Sequence, residues 1–415
     1  MKTVIMAGGM GTRIAAVNAL VPKPMITILG KPILEYQIEC LEKQGYTDII
    51  IVIGYKGEQI QAYFRDGADF GVNIEYIVEQ SPLGTAGALY LLKNRIEEEF
   101  LLINGDIIFD IDIGRFVEHH RKKEGKATIF IHPNDHPFDS GIIKADMDGR
   151  VFQWLCKEDE RKWYKNRVNA GLHILSPQIL YEMRELKKMD MDRDVLRQLI
   201  PQGLLYAYDS PEYVKDMGTP ERLAEVEMDI LSGKVKEKNL REKQRAVFLD
   251  RDGTINEYAG FLKHIDDFKL ISGVEAAIRR INKSGYLAIV VTNQPVIARG
   301  EATIEELEEI HNKMETLLGR GGAYIDALYY CPHHPDKGYE GEREEYKVKC
   351  ECRKPSPGLL LSAAKAYNID MSRSWMIGDS DTDMEAGNAA GCKTAKIGKG
   401  EKYTDLLCCI QDILQ

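Results

Sequence analysis

Three apolar residues running into two carboxylates one residue apart, Val247-Phe248-Leu249-Asp250-Arg251-Asp252-Gly253-Thr254, constrain this chain more than any other stretch. Val247 to Leu249 reads as a short buried strand, and Gly253 bends the backbone just where that strand ends. Both carboxylates then stand near one point. One acid can attack an electrophile while the other manages protons, with a divalent cation between them. A solvated acidic turn could carry the same letters, so the stretch has to be weighed with the rest of the chain.

Three later segments join it in order. Leu287 to Val291 is an apolar strand ending in the hydroxyl of Thr292. Lys354, in Cys352-Arg353-Lys354-Pro355, supplies a cation. Trp375-Met376-Ile377-Gly378-Asp379-Ser380-Asp381-Thr382-Asp383 is a strand running into clustered acids. Acids packed this closely repel one another, and bound Mg²⁺ is the usual relief. Together these segments resemble the four motifs of the haloacid dehalogenase-like (HAD) phosphotransferases. The resemblance implies an HAD-like α/β/α domain over residues 245–415, with Asp250 as nucleophile and Asp252 as general acid and base. Thr292 and Lys354 would hold the phosphoryl group. Mg²⁺ would sit on Asp250, the backbone carbonyl of Asp252 and Asp379, with Asp383 in support.

Between the second and third motifs lie Cys331-Pro332-His333-His334 and Cys350-Glu351-Cys352. Three thiolates and one imidazole make a closed tetrahedral Zn²⁺ set, which would clip down the charged loop 335–349. Either histidine could serve. These segments, with Asn293-Gln294 and Ile297-Ala298-Arg299-Gly300, resemble the D-glycero-D-manno-heptose 1,7-bisphosphate phosphatases, a zinc-bearing subfamily that also includes histidinol-phosphate phosphatases. The resemblance selects Cys331, His333, Cys350 and Cys352 as zinc ligands. It places Asn293, Arg299 and Arg353 against substrate. The chain departs from it at Pro295-Val296, where relatives carry Ser-Gly, and at Ser380, where they often carry lysine.

The first half has its own punctuation. Thr3 to Ala7 is an apolar strand followed at once by Gly8-Gly9-Met10-Gly11-Thr12-Arg13, a turn able to present backbone N–H groups to a phosphate. Pro22-Lys23-Pro24 then stiffens the backbone around one lysine. GGxGTR followed by PKP resembles the sugar-1-phosphate nucleotidyltransferases, over residues 1–233, and implies a nucleotide-diphospho-sugar transferase fold. Gly8, Gly9, Gly11 and Thr12 would cradle phosphates, with Arg13 and Lys23 as cations. Gln80 and Gly84 would face the nucleobase. Asp106, at the end of the apolar strand Leu101–Asn104, and Asp216, in Lys215-Asp216-Met217-Gly218-Thr219-Pro220, would hold Mg²⁺. Gly141, Lys157, Asn169 and Gly171 would bind the sugar phosphate, although Cys156-Lys157-Glu158 stands where relatives often have Glu-Lys-Pro. Trp154, Trp163 and Tyr164 read as packing residues.

Length and charge agree. A chain of 415 residues has room for two Rossmann-like three-layer α/β domains. A net charge of -10 argues against nucleic acid or an anionic membrane surface as partner. The apolar run at the N-terminus is too short for an export signal, so a cytoplasmic protein is expected. Residues 234–244, dense in charge, read as a linker or an exposed helix end.

A phosphatase that strips the 7-phosphate from heptose 1,7-bisphosphate leaves a sugar-1-phosphate, and that is what the transferase needs. The expectation is a bifunctional enzyme of GDP-heptose formation using a nucleoside triphosphate, GTP by resemblance, with a homo-oligomer left open. Two alternatives stand beside it: a mannose-1-phosphate guanylyltransferase joined to another phosphatase, and a nucleotide-sugar sensor without turnover. A sensor should have lost some of Arg13, Lys23, Asp106 and Asp216, and all four are present.

Overall fold

The computed structural model describes residues 1–9, 21–338 and 340–414. The chain divides into two compact units. The first comprises residues 1–132, 143–154 and 169–239, and the second comprises 133–142, 155–168 and 240–415.

The first unit is built on parallel strands β1 (Thr3–Met6), β2 (Asp48–Ile53), β3 (Asn73–Val78) and β4 (Phe100–Asn104), in spatial order β4-β1-β2-β3. β5 (Val168–Leu175) runs antiparallel beside β4 and continues the sheet to nine strands. Alternate residues enter different cores: Val4, Ile50, Val52 and Leu102 join one cluster, and Ile5, Ile49, Ile51 and Ile103 join the other. A strand sends successive side chains to opposite faces, so near-continuous apolar runs belong to a sheet covered on both sides. A helix, Ile33–Glu42, follows β1 in the chain.

The second unit repeats the logic with β6 (Ala246–Leu249), β7 (Leu287–Asn293), β8 (Ala327–Cys331), β9 (Trp375–Gly378) and β10 (Lys393–Lys396). All neighbours are parallel, in spatial order β8-β7-β6-β9-β10. Val247 and Leu249 face one core, Ala246 and Phe248 the other. Strand order reverses at β6. In open α/β sheets the crevice beyond that reversal is where ligands bind, and Asp250 is the first residue past it.

Residues 234–244 are exposed only in part, at Lys236, Glu237 and Arg241 to Lys243. Lys234–Glu237 forms a helical turn, and Lys234, Lys238, Asn239 and Leu240 are buried. Long lysine stems cover apolar surface while their amines find acids, here Lys234 on Asp229 at 3.1 Å. The units also do not divide at a single point, because 133–142 and 155–168 cluster with the second unit. Arg167 and Glu315 in that unit form an almost fully buried ion pair at 3.3 Å, and the Tyr164 N–H donates to Thr316 Oγ1 at 2.9 Å. Trp154 and Tyr164 are core residues, as expected. The Trp163 ring instead lies under Lys313 and Arg320. Among the described residues no helix is long and apolar enough to cross a membrane.

Candidate active sites

In the first unit, the carboxyl ends of four parallel strands converge. Gly8-Gly9 follows β1, Gly54 follows β2, Glu79 follows β3 and Gly105-Asp106 follows β4. Gly11, Thr12 and Arg13 lie outside the described residues. Lys23 Nζ meets Asp106 Oδ2 at 2.5 Å. The short strand Tyr213–Asp216 pairs antiparallel with Ile107–Asp110, placing Asp216 opposite Ile107, and the Met217 N–H donates to the Asp106 carbonyl. Asp106, in the turn just before Ile107, and Asp216, paired with Ile107, therefore lie side by side, as sharing Mg²⁺ requires. Arg222 Nη1 lies 2.6 Å from both oxygens of Asp216. Two hard carboxylates beside two cations fit a Mg²⁺–phosphate group, in which acids take the metal and cations take phosphate. Arg222 carries no signal in the sequence, because nothing but the fold links it to this site.

Glu79 is a second residue that the motifs do not reveal. Gln80, expected to face the base, is exposed, whereas Glu79 turns back under the glycines. A Cβ at Gly8 would come within 2.1 Å of Glu79 Oε2, so the carboxylate occupies the space that a side chain at position 8 would take. Its Oε1 is buried and has no hydrogen-bond partner among the described residues. Burial raises its pKa, against an opposing Leu83 backbone N–H. A buried acceptor left unpaired is costly, which marks Glu79 as a group awaiting a donor. Gly84 and Thr85 serve another purpose: Gly84 packs on the Met189 carbonyl, and Thr85 Oγ1 accepts from the Met191 N–H at 2.7 Å.

Of the four sugar residues, the structure brings Asn169 and Gly171 together. Asn169 Oδ1 accepts from the Gly171 N–H at 3.1 Å and lies 3.2 Å from His173 Nε2, while its Nδ2 donates to Asp192 Oδ1 at 3.2 Å. Burial pushes His173 down to about 3, so it is neutral. Desolvation of the carboxyl, with Asp190 nearby, pushes Asp192 up to about 6. Gly141 and Lys157 belong to the second unit, where Lys157 is exposed beside Glu158.

The phosphatase-like site is tighter. Lys354 Nζ donates to Asp250 Oδ1 at 2.7 Å, to Asp383 Oδ1 at 2.5 Å and to the Val291 carbonyl at 2.9 Å. Burial raises Asp250 despite Lys354. Burial would lower Lys354, but Asp250 and Asp383 together carry it above its ordinary value. Asp383 also accepts from Ser380, whose hydroxyl lies at 2.6 Å. Asp250, Asp379 and Asp383 offer oxygens within 4.8 Å of one another, a donor set that suits Mg²⁺. Asp379 is raised by burial and by Asp383. Gly253 has φ +80°, and a Cβ there would lie 2.0 Å from Asp379 Oδ2, which is why glycine follows the second acid.

Thr292 is buried with its Oγ1 accepting from Gln294 Nε2 at 2.9 Å. Asn293, expected at substrate, spends its amide on the Lys354 backbone, with both bonds at 3.0 Å. Arg299 stacks on Phe261 at 4.1 Å. Arg353 donates to the His333 carbonyl at 3.2 Å, tying the third motif to the cysteine loop.

In that loop Cys352 Sγ lies 3.2 Å from both Cys331 Sγ and Cys350 Sγ, and His333 Nδ1 is 3.3 Å from Cys352 Sγ. A Zn–S bond of ~2.3 Å at tetrahedral angles sets neighbouring sulfurs roughly 3.7 Å apart, so the four atoms fit zinc with slight expansion. His334 turns away, its Nδ1 accepting from the Asp336 N–H at 3.3 Å.

Residues 2–233 match the model of the Nucleotidyl transferase family. The chain belongs to that family. Residues 351–407 of this nucleotidyl transferase match a HAD-hydrolase-like family. A D-glycero-beta-D-manno-heptose-1,7-bisphosphate 7-phosphatase of Photorhabdus laumondii is 48% identical over 145 residues, 35% of this chain and 75% of that protein. The second half therefore belongs with the HAD phosphatases. A mannose-1-phosphate guanyltransferase of Debaryomyces hansenii is 33% identical over 239 residues, 57% of this chain and 64% of that protein. A Bacillus anthracis structure assigned as a glucose-1-phosphate thymidylyltransferase shares the first half's fold, with 22% identity, TM-score 0.50, and coverage of 55% of this chain and 94% of that one. The chain is an enzyme with a nucleotidyltransferase half and a phosphatase half.

Proposed function

We propose that the chain removes the 7-phosphate of D-glycero-D-manno-heptose 1,7-bisphosphate and then transfers GMP from GTP to the remaining 1-phosphate, giving GDP-heptose and pyrophosphate. The observation that carries this reading is the fusion itself. A half so similar to 7-phosphatases produces a sugar-1-phosphate, and the other half belongs to a family that consumes one.

In the phosphatase half Asp250 attacks phosphorus as the bond to the sugar oxygen breaks, and that oxygen takes a proton from Asp252. The aspartyl phosphate is then hydrolysed by water that Asp252 deprotonates. Lys354 and Thr292 hold the phosphoryl oxygens. Mg²⁺ on Asp250 and Asp379 would offset phosphate charge, while Asp383, bonded to Lys354 and Ser380, anchors the lysine. In the transferase half a sugar-phosphate oxygen attacks the α-phosphorus of the triphosphate and pyrophosphate leaves. Lys23 and Arg222 neutralise charge there, and Asp106 and Asp216 would hold Mg²⁺.

Glu79 supports guanine. Among the bases only guanine presents two adjacent donors, N1–H and N2–H₂, to a carboxylate that can only accept. Zinc on Cys331, His333, Cys350 and Cys352 would be structural. Purified protein should carry about one zinc per chain, and Cys350→Ser should lower both zinc content and the thermal midpoint of the second unit.

Supplied with heptose 1,7-bisphosphate, GTP and Mg²⁺, the enzyme should release phosphate before pyrophosphate. The match to a mannose-1-phosphate guanyltransferase favours a second reading, in which mannose-1-phosphate is the acceptor. Higher kcat/KM with mannose-1-phosphate than with heptose-1-phosphate would select it.

A further inference from the structure

Between the two acids of the phosphatase motif sits Arg251, which is completely buried. Its Nη2 donates to both oxygens of Asp252 at 2.9 Å, and its Nε reaches Oδ1 at 3.2 Å. The same Nη2 meets Gln294 Oε1 at 3.0 Å, and Nη1 lies 3.1 Å from His311 Nε2 on the helix Ile304–Arg320. Gln294, also buried, donates Nε2 to Asp252 Oδ2 at 2.8 Å and to Thr292 Oγ1. Asn256 Nδ2 adds a bond to Asp252 Oδ1 at 3.0 Å.

A carboxylate has about four lone-pair sites. Here Arg251, Gln294 and Asn256 place five donor contacts on the two oxygens, with Arg251 Nη2 shared between them, so the plane of the carboxyl is fixed. When Asp252 is protonated, its proton takes the place of one shared contact and points at the substrate side. Bidentate guanidinium bonds fix the plane of a carboxylate, and His311 and Gln294 in turn fix the guanidinium. Gln294 is the partner that reaches both halves of the chemistry, because it touches Asp252 and the hydroxyl of Thr292. None of these partners need touch substrate.

We propose that Arg251 and Gln294 are positioning residues that aim Asp252 for proton transfer to the departing sugar oxygen. The inference rests on reading Asp252 as the acid and base. In the step concerned, the bond from Asp250 Oδ to phosphorus forms and the bond from phosphorus to the sugar oxygen breaks. That oxygen, left with the electron pair, takes the proton from Asp252, which remains as a carboxylate. A sugar alkoxide leaves poorly without that proton. A p-nitrophenolate leaves well without it.

Leaving-group dependence therefore tests the idea. Full-length wild type, Asp252→Asn, Gln294→Met and Arg251→Lys would be compared in single-turnover reactions with heptose 1,7-bisphosphate and with p-nitrophenyl phosphate. Burst release of p-nitrophenolate reads aspartyl-phosphate formation before any water step. General acid catalysis contributes ~10²–10⁴-fold, so Asp252→Asn should slow sugar release by that order. Gln294→Met should slow it by ~10-fold or more, Arg251→Lys should do likewise, and all three should keep the p-nitrophenolate burst within a few-fold of wild type.

Equal losses on both substrates, with zinc content and thermal midpoint unchanged, would overturn the proposal by assigning Arg251 and Gln294 a merely structural role. So would variants that lose nothing. If Asp252→Asn is not selective, the acid–base reading falls instead. If wild type hydrolyses simple alkyl phosphates but not the heptose compound, the substrate reading falls, and the same comparison on the alkyl phosphate still decides the role of the two residues.

Discussion

The two sites solve the same problem, holding phosphate oxygens against acids, in opposite environments. In the phosphatase half the Lys354 side chain is 2% exposed and that of Asp383 0%. In the transferase half the Asp106 and Asp216 side chains are 38% and 46% exposed, each with one cation beside it. Covalent chemistry on an aspartate needs a fixed nucleophile in a dry pocket, where charges act strongly. Nucleotidyl transfer needs no protein nucleophile. It requires room for two large anions, and charges that can exchange partners between metal and phosphate. Tight burial belongs to the half proposed to do covalent work.

The largest test of this contrast is Asp250→Asn. Removing the proposed nucleophile should cut phosphate release by roughly 10⁶-fold, the order found when the nucleophile of a catalytic unit is deleted. Transfer to supplied heptose-1-phosphate should stay within about twofold, because Asp250 lies in the other unit. Separate assays for phosphate and pyrophosphate would read both. Loss of both activities in a folded variant would mean that the halves are not chemically separable.

Asp106→Ala probes the exposed site and should matter less, about 10²–10³-fold in transfer, the range for losing one electrostatic stabiliser. Phosphate release should continue at the normal rate and heptose-1-phosphate should accumulate. An unchanged pyrophosphate rate would remove Asp106 from the transferase machinery.

Glu79→Gln is smaller and more specific. An amide offers one acceptor and one donor where the carboxylate offers two acceptors. kcat/KM for GTP should fall about 10²-fold, while a thymine or uracil nucleotide, with one donor flanked by acceptors, should lose nothing or gain. Equal losses with every nucleotide would show that Glu79 supports the glycine turn rather than reading the base.

The phosphatase site is legible in the sequence because each motif is a short strand with its chemistry within a few residues of the end, where β geometry leaves little freedom. Asp250, Lys354, Asp379 and Asp383 converge as expected, and the glycine after Asp252 explains itself once Asp379 is placed. Nothing local ties Gln294 or His311, which lie 43 and 60 residues from Arg251, to the orientation of Asp252. Asn293 misleads because its amide, apt for a ligand, closes a backbone gap at Lys354 instead. In the transferase half the motif points one position away from the residue proposed to read the base. β3 ends at Val78, so Glu79 is the first side chain free of the ladder, and its placement depends on Gly8 from another strand. Burial within 234–244 is not legible, because charge density says little about where lysine stems lie.

The last contrast concerns acids held above their ordinary range. Asp250 is buried with a lysine in direct contact. Asp192 is exposed and has the Asn169 amide and the Arg197 charge in its favour, yet it is pushed from 3.8 up to about 6, by desolvation first and Asp190 second. A carboxyl whose folded pKa is raised holds its proton more tightly in the native state. Stability from it is full below about 3.8 and is lost as pH rises through about 6. Each tenfold change in proton affinity is worth ~1.4 kcal/mol, and solvent at the exposed edge screens much of the total. Ionised Asp192 should therefore cost the first unit about 1 kcal/mol at pH 7.5. Asp192→Asn removes the charge and keeps an oxygen for the Asn169 Nδ2 donor. The variant should be more stable than wild type at pH 7.5, and the gap should close as pH falls toward 4. Urea midpoints across that range would show it. A gap that does not change with pH would mean that Asp192 is stabilised by more than its amide partner, and the contrast with Asp250 would then narrow to geometry alone.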